Sequence, residues 1–152
     1  MSTSSREPLS LEDFKSVLKK NSLKATPQRL AVHQAMLSLC HASADQIKDW
    51  MDEEGVGSLT VASIYNILSQ MSCLGIYSRR LSANNKMYFD VNTFTHIHLY
   101  DTVNNEFKDV VDEELIDIIE SKIRSKRYRG FKIDGLDLQI ICHPTGKKNM
   151  TK

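Results

Sequence analysis

Apolar positions recur at helical spacing through the first 75 residues and at strand spacing after them. Ser10 can cap a helix with Glu12 and Asp13 in its first turn, and Leu11, Phe14, Val17 and Leu18 fall on one face. Asn21-Ser22 ends that helix. Thr26-Pro27 starts another, with Thr at the N-cap and Pro at the first helical position, and it runs to about Cys40. Ser43 caps a third helix through Ile47, Trp50 and Met51 to Gly55. After a turn at Gly57-Ser58, Thr60 caps a fourth, whose stripe is Ile64, Ile67, Leu68, Met71 and Leu74 and which Gly75 stops. Ile76–Leu81 and Met87–Val91 then flank the turn residues Ser82-Ala83-Asn84-Asn85 as a hairpin. Helix, helix, turn, helix, hairpin predicts a winged helix-turn-helix, with the fourth helix as its recognition helix.

The second half carries a different pattern. His96 to Thr102 reads as a strand, Asn104-Asn105 as a turn and Glu106 to Val111 as the partner strand. Asp112 opens a helix with Leu115, Ile118, Ile119 and Ile123 as its stripe and Lys122, Arg124, Lys126 and Arg127 at its end, where the helix dipole favours cations. Phe131 to Cys142 returns as a strand. The order β-β-α-β predicts a small α/β module. The expected fold is therefore α+β, with a winged-helix DNA-binding domain over residues 1–92 and an α/β domain over 93–152. Residues 1–9 and 144–152 read as loose tails.

Charge complicates a DNA-binding reading. Residues 1–92 hold 10 basic and 9 acidic side chains and residues 93–152 hold 10 and 10, so neither half grips nucleic acid by bulk charge. The basic residues of the first half are instead local: Lys19, Lys20, Lys24 and Arg29 near the second helix, and Arg79-Arg80 on the wing. On the recognition helix, Ala62, Ser63, Tyr65 and Asn66 lie opposite the apolar stripe, where they are either base- and phosphate-contacting groups or a solvated polar face. No apolar run approaches the ~20 residues of a membrane span, and Met1 to Leu11 lacks an apolar signal core. Three scattered cysteines, Cys40, Cys73 and Cys142, form no CxxC pair. A reducing, cytoplasmic setting without disulfides or a thiolate zinc site is expected.

The chemistry that stands out is imidazole and carboxylate. His96 and His98 are two apart in a predicted strand, so both rings leave one face. If the Asn104-Asn105 turn closes a hairpin, Asp109 falls near Tyr100 on that same face, and Asp90 precedes His96 by six residues. Two His and two Asp make an N/O set suited to Fe2+ or Mn2+ and tolerant of Zn2+. On spacing alone, a His-x-His pair is more often a surface feature than a pair of ligands.

Taken together, LKATPQRLAV at 23–32, HASADQI at 41–47, TVASIYNIL at 60–68, YFD at 88–90, HIH at 96–98 and the following Asp109 resemble the ferric uptake regulator family, most closely its peroxide-sensing (PerR) branch. The resemblance implies a regulatory metal site of His41, Asp90, His96, His98 and Asp109. It supplies His41, for which the spacing alone has no use. Asp rather than Glu at 109, and Asn66 after Tyr65, match the peroxide branch. It implies that residues 93–152 form a metal-binding and dimerisation domain, packed through the 112–126 helix and the strand near Ile140, and that the homodimer binds an A/T-rich inverted-repeat operator with Lys24 reaching the minor groove; Arg29, Ser63, Tyr65 and Asn66 are the other expected DNA contacts. It also implies repression relieved when Fe2+ and hydrogen peroxide oxidise His41 or His96. The family's two CxxC pairs are missing: Asp101 and Asn104 stand in the first pair's places and Cys142 stands alone near the second, so no structural zinc is expected.

Three other readings stay open. One is a sensor of iron, manganese or zinc supply without peroxide chemistry. A second is a small metalloenzyme, disfavoured because no separate acid, base or nucleophile accompanies the ligands; the expected protein is not an enzyme. The third is a metal-free winged-helix module.

Overall fold

A computed structural model of the chain describes residues 7–146, and the outermost parts of both expected tails, 1–6 and 147–152, lie outside the described residues. Its contacts divide it into two compact units, one ending at Phe94 and the other beginning at Thr95.

The first unit contains α1 (Leu11–Lys20), α2 (Pro27–Leu39), β1 (His41–Ala42), α3 (Ala44–Glu54), α4 (Val61–Cys73), β2 (Ser78–Leu81) and β3 (Met87–Asp90). The four expected N-caps are in place: the side chains of Ser10, Thr26, Ser43 and Thr60 accept from the backbone N–H three residues on. Ser43 and Gln46 form a reciprocal capping box. The helices bury Phe14, Leu18, Val32, Met36, Ile47, Met51, Ile64, Leu68 and Met71, together with Phe89 of the sheet. Each such side chain contributes about 1.5–3 kcal/mol of hydrophobic stabilisation.

The sheet order is β1-β3-β2, all antiparallel. β1 is absent from the pattern-based reading because a two-residue strand has no periodicity to detect. It forms because Cys40 takes φ 63, ψ −52 and turns the chain directly from α2 into the sheet. The Cys40 N–H donates to the Met36 carbonyl (2.8 Å), and the Val91 N–H donates to the Cys40 carbonyl (3.1 Å). The wing corrects one expectation. Strand alternation sends Arg79 outward and Arg80 inward, where Arg80 is buried and its Nη2 lies 3.5 Å from the Ser78 hydroxyl. Only Arg79 of the pair can serve an external patch.

The second unit contains β4 (Ile97–Asp101), β5 (Glu106–Val110), α5 (Glu113–Arg124) and β6 (Leu138–Cys142). The sheet order is β5-β4-β6, with β4 antiparallel to β5 and parallel to β6 through the α5 crossover. Three expectations change here. First, the β4–β5 hairpin pairs His98 with Asp109 and Tyr100 with Phe107, two residues from the expected register. The cause is a four-residue loop, 102–105, whose start is pinned by Asp101: its carboxylate accepts from the Val103 N–H (2.8 Å) and the Asn104 N–H (3.1 Å). A shift of two residues preserves strand parity, so Asp109 keeps its face.

Second, the inward row of α5 is Ile116, Ile119 and Ile123, whereas Leu115 and Ile118 of the expected stripe are exposed. Five apolar residues on this helix are too many for one arc. Third, the strand expected from Phe131 begins only at Leu138, and Phe131 is 82% exposed. β4 offers only Ile97–Asp101 as partners, so the ladder has no place for residues 131–137. His96 likewise lies just ahead of β4 rather than within it.

Candidate functional site

The first unit brings His41 and Asp90 together as direct cross-strand partners of β1 and β3. His41 Nε2 lies 3.3 Å from Asp90 Oδ2, and both side chains are almost wholly buried. The other carboxylate oxygen, Oδ1, accepts from the Asn92 N–H at 2.8 Å. A buried carboxylate needs such partners or a cation, and here one oxygen is fixed by backbone while the other faces an imidazole.

The second unit brings His96, His98 and Asp109 together. The two imidazoles pack with ring centroids 4.1 Å apart. His96 Nε2 lies 2.9 Å, and His98 Nε2 3.7 Å, from the same oxygen, Asp109 Oδ1. Phe107 closes over His98 edge-to-face at 6.0 Å. Both histidine side chains are buried and the Asp109 side chain is 23% exposed. One ligand atom from each of the three residues falls within 4.8 Å of the others. That is close to the span of atoms on a common ion, whose bonds run about 2.0–2.2 Å. Both sets are nitrogen and carboxylate oxygen without thiolate, a donor chemistry that fits Fe2+, Mn2+ or Zn2+.

The remaining sequence-derived candidates lie in the first unit. Ser63, Tyr65 and Asn66 are exposed on the outer face of α4, and Lys24 is exposed ahead of α2. Tyr65 is steadied by an edge contact with Phe89 at 6.0 Å, and the Ser63 hydroxyl accepts from Thr60 Oγ1 at 2.9 Å. Arg29 is half-buried and internally engaged: Nη1 donates to the Lys24 carbonyl (2.7 Å) and Nη2 to Gln70 Oε1 (3.1 Å). It ties the loop carrying Lys24 to α4.

Asp101 and Asn104, at the start of the 102–105 loop and within it, hold each other. Asn104 Nδ2 donates to Asp101 Oδ2 at 2.7 Å. This bond, ahead of the backbone donors, keeps the Asp101 carboxyl below its ordinary pKa. The thiol of Cys142 points back to the Tyr100 carbonyl at 3.4 Å.

One buried histidine carries no signal in the sequence pattern. His33, 1% exposed, stacks on Phe14 at 4.1 Å. Its Nε2 donates to the Leu9 carbonyl (2.7 Å), so its Nδ1 accepts from the Tyr77 hydroxyl (2.6 Å). Burial lowers its pKa, which the Leu9 hydrogen bond partly offsets. It is a satisfied core histidine, and only its place on the buried face of α2 hints at that.

Residues 20–141 match the Ferric uptake regulator family. The peroxide-responsive repressor PerR of Staphylococcus epidermidis is 31% identical over 90 residues, 59% of this chain and 59% of that protein. The chain thus spans about 59% of the length of that curated relative. Among solved structures, the Vibrio cholerae ferric uptake regulator superposes with a TM-score of 0.73 at 22% identity, over 86% of this chain and 99% of that one. The Campylobacter jejuni peroxide stress regulator gives a TM-score of 0.62 at 25% identity, over 86% and 95%. The α+β architecture is the one those structures share. With four-fifths of its length inside the family match, the chain belongs to the ferric uptake regulator family.

Proposed function

We propose that this chain is a metal-dependent transcriptional repressor that releases DNA when hydrogen peroxide oxidises one of its metal-ligating histidines. The observation that carries the reading is the pair of buried N/O sets, one in each unit, His41 with Asp90 and His96 and His98 with Asp109. Neither set is a complete coordination sphere. Together they offer three imidazoles and two carboxylates, and the two carboxylate charges balance one divalent cation. We assign all five to a single shared ion, Fe2+ or Mn2+, with Zn2+ accommodated by the same donors. The resemblance to the peroxide-responsive relatives supports the same assignment.

An ion shared between units favours one arrangement of them over others, which makes it a ligand-biased conformational element. In a homodimer that arrangement sets the separation of two α4 helices against successive turns of an A/T-rich inverted repeat. Lys24, Ser63, Tyr65 and Asn66 are the groups assigned to the DNA, with Arg29 positioning Lys24. Without a CxxC pair, no structural zinc is assigned, and packing within the second unit takes its place. A cytoplasmic setting follows from the DNA target.

When bound, Fe2+ would activate hydrogen peroxide beside the ligand imidazoles, chemistry that Mn2+ does not offer; the two electrons that reduce the peroxide come in the net reaction from the oxidised ring. His41 and His96 are the acceptors of the oxygen. In the net reaction a ring C–H between the two nitrogens becomes C=O, its hydrogen moves to nitrogen, and the peroxide leaves as water. Both nitrogens of the oxidised ring carry hydrogen, so neither keeps the in-plane lone pair by which a histidine binds a metal.

The test is DNA binding by the purified protein loaded with Fe2+ or Mn2+, before and after peroxide. The Fe2+ form gains the mass of one oxygen on a peptide carrying His41 or His96 and loses at least about tenfold in DNA affinity, a usual size for a coupling between sites. The Mn2+ form changes in neither respect. Equal behaviour of the two forms makes the chain a sensor of metal supply instead. DNA binding indifferent to metal and to His96→Ala removes the metal reading altogether.

A further inference from the structure

A cleft of about 390 Å3 lies in the first unit between the start of α3, the outer face of α4 and the end of the wing turn, lined among others by Asp45, Ala62, Tyr65, Asn66, Lys86 and Met87. Its rim holds one cation and one anion. Lys86 Nζ lies 3.7 Å from Asp45 Oδ2, with both side chains more than half exposed. Both backbones are held. Asp45 sits in the first turn of α3, fixed by the Ser43–Gln46 capping box. Lys86 closes the wing turn: its carbonyl accepts from the Ser82 N–H (2.9 Å) and its N–H donates to the Ser82 hydroxyl (3.3 Å).

An exposed pair of this kind adds little to folding stability, because solvent screens it and two flexible side chains must be held. Its position gives it another consequence. A helix that enters the major groove has sugar-phosphate backbone along its flanks, and most protein–DNA hydrogen bonds go to that backbone. Lys86 stands on the flank of the α4 face that carries Tyr65 and Asn66. We propose that Lys86 is a phosphate-contacting residue of the wing and that Asp45 competes with the phosphate for it. Asp45 then restrains binding to any duplex whose only attraction is its charge. This rests on the DNA-binding reading above and adds two residues to it.

The experiment is fluorescence anisotropy of the Mn2+-loaded full chain on a mixed-sequence duplex of about 30 base pairs across about 50–200 mM salt, a range over which phosphate contacts dominate the affinity. Asp45→Asn tightens binding by about three- to tenfold and steepens the plot of log affinity against log salt by about one, the increment of one phosphate contact. Lys86→Ala weakens binding and flattens the slope by about the same amount. With Lys86→Ala already present, Asp45→Asn has no further effect on the slope. The proposal is overturned if Asp45→Asn leaves affinity and slope unchanged, or if it acts equally with and without Lys86, which makes it a general charge effect. Wild-type protein that binds no duplex overturns the DNA-binding reading itself. Circular dichroism and thermal unfolding of each variant check that a lost signal is not a lost fold.

Discussion

His33 shows how a single side chain can carry a pH dependence apart from the metal ligands. It is held neutral by burial, with both ring nitrogens occupied and Phe14 against its face. Its folded pKa therefore lies below the ordinary 6.5, while the unfolded chain takes up the proton near that value. The unfolded state binds more protons below pH 6.5, so stability is complete above 6.5 and is lost as pH falls from there toward the folded value. The loss reaches at most about 1.4 kcal/mol per pH unit, the equivalent of one proton. Urea unfolding at pH 7.5, 6.0 and 5.0 measures it. His33→Leu costs about 1–3 kcal/mol at pH 7.5, because Tyr77 Oη and the Leu9 carbonyl lose their partner. It also removes the part of the slope below pH 6.5 that His33 contributes, at most one proton's worth. A slope identical to wild type means that folding leaves the protonation of His33 unchanged, and overturns this reading.

At the scale of elements, the second unit exposes apolar surface that a lone protomer has no reason to keep. Leu115 and Ile118 of α5 and Ile140 and Ile141 of β6 are each 40–55% exposed. β6 is also an edge strand, with one side of its ladder open. If the chain forms the proposed homodimer, these are the surfaces it would cover. Ile118→Glu would bury a carboxylate there and weaken the dimer by about 2–3 kcal/mol or more. Sedimentation should then show a folded monomer at micromolar concentration. A dimer untouched by this change places its interface off the outer face of α5.

The same elements show what local chemistry makes legible. Ser10, Thr26, Ser43 and Thr60 announce their helices because a cap is a short-range hydrogen bond written within three residues. The inward row of α5 is not written that way: with apolar residues at 115, 116, 118, 119 and 123, the tertiary partner decides which row turns in. The β4–β5 register depends on the Asp101 loop, which the turn residues alone misplace by two. The pairing of His41 with Asp90 depends on a two-residue strand and on the backbone of Cys40. No periodicity reports that, and only the family resemblance pointed to His41. The His96, His98 and Asp109 set was legible because alternation survives a register error of two.

For the molecule as a whole, the proposed shared ion makes stability depend on metal. A ligand that binds only the folded protein, present at a hundred times its dissociation constant, adds about 2.7 kcal/mol. Mn2+ should raise the unfolding free energy extrapolated from urea titrations by that amount, and EDTA should reverse it. The joint assignment is tested by changing one unit and observing the other. Asp90→Asn should diminish the slowing of amide exchange that Mn2+ produces in β4 and β5. Undiminished protection means that the His96, His98 and Asp109 set holds its ion unaided.

The parallel pairing of β4 with β6 also governs the order in which the chain can assemble. Ile97 meets Leu138 across 40 intervening residues, whereas the helices and hairpin of the first unit close over much shorter separations. Long closures are entropically costly before any contact repays them, so they come late. A ribosome adding about 5–20 residues per second releases α1 to β3 seconds before β6 exists. During that interval the β6-facing edge of β4 is bare, a template for pairing with another nascent chain. The arrival of residues 138–142 therefore does more than add a strand: it covers that edge of β4 and passes the open position to β6.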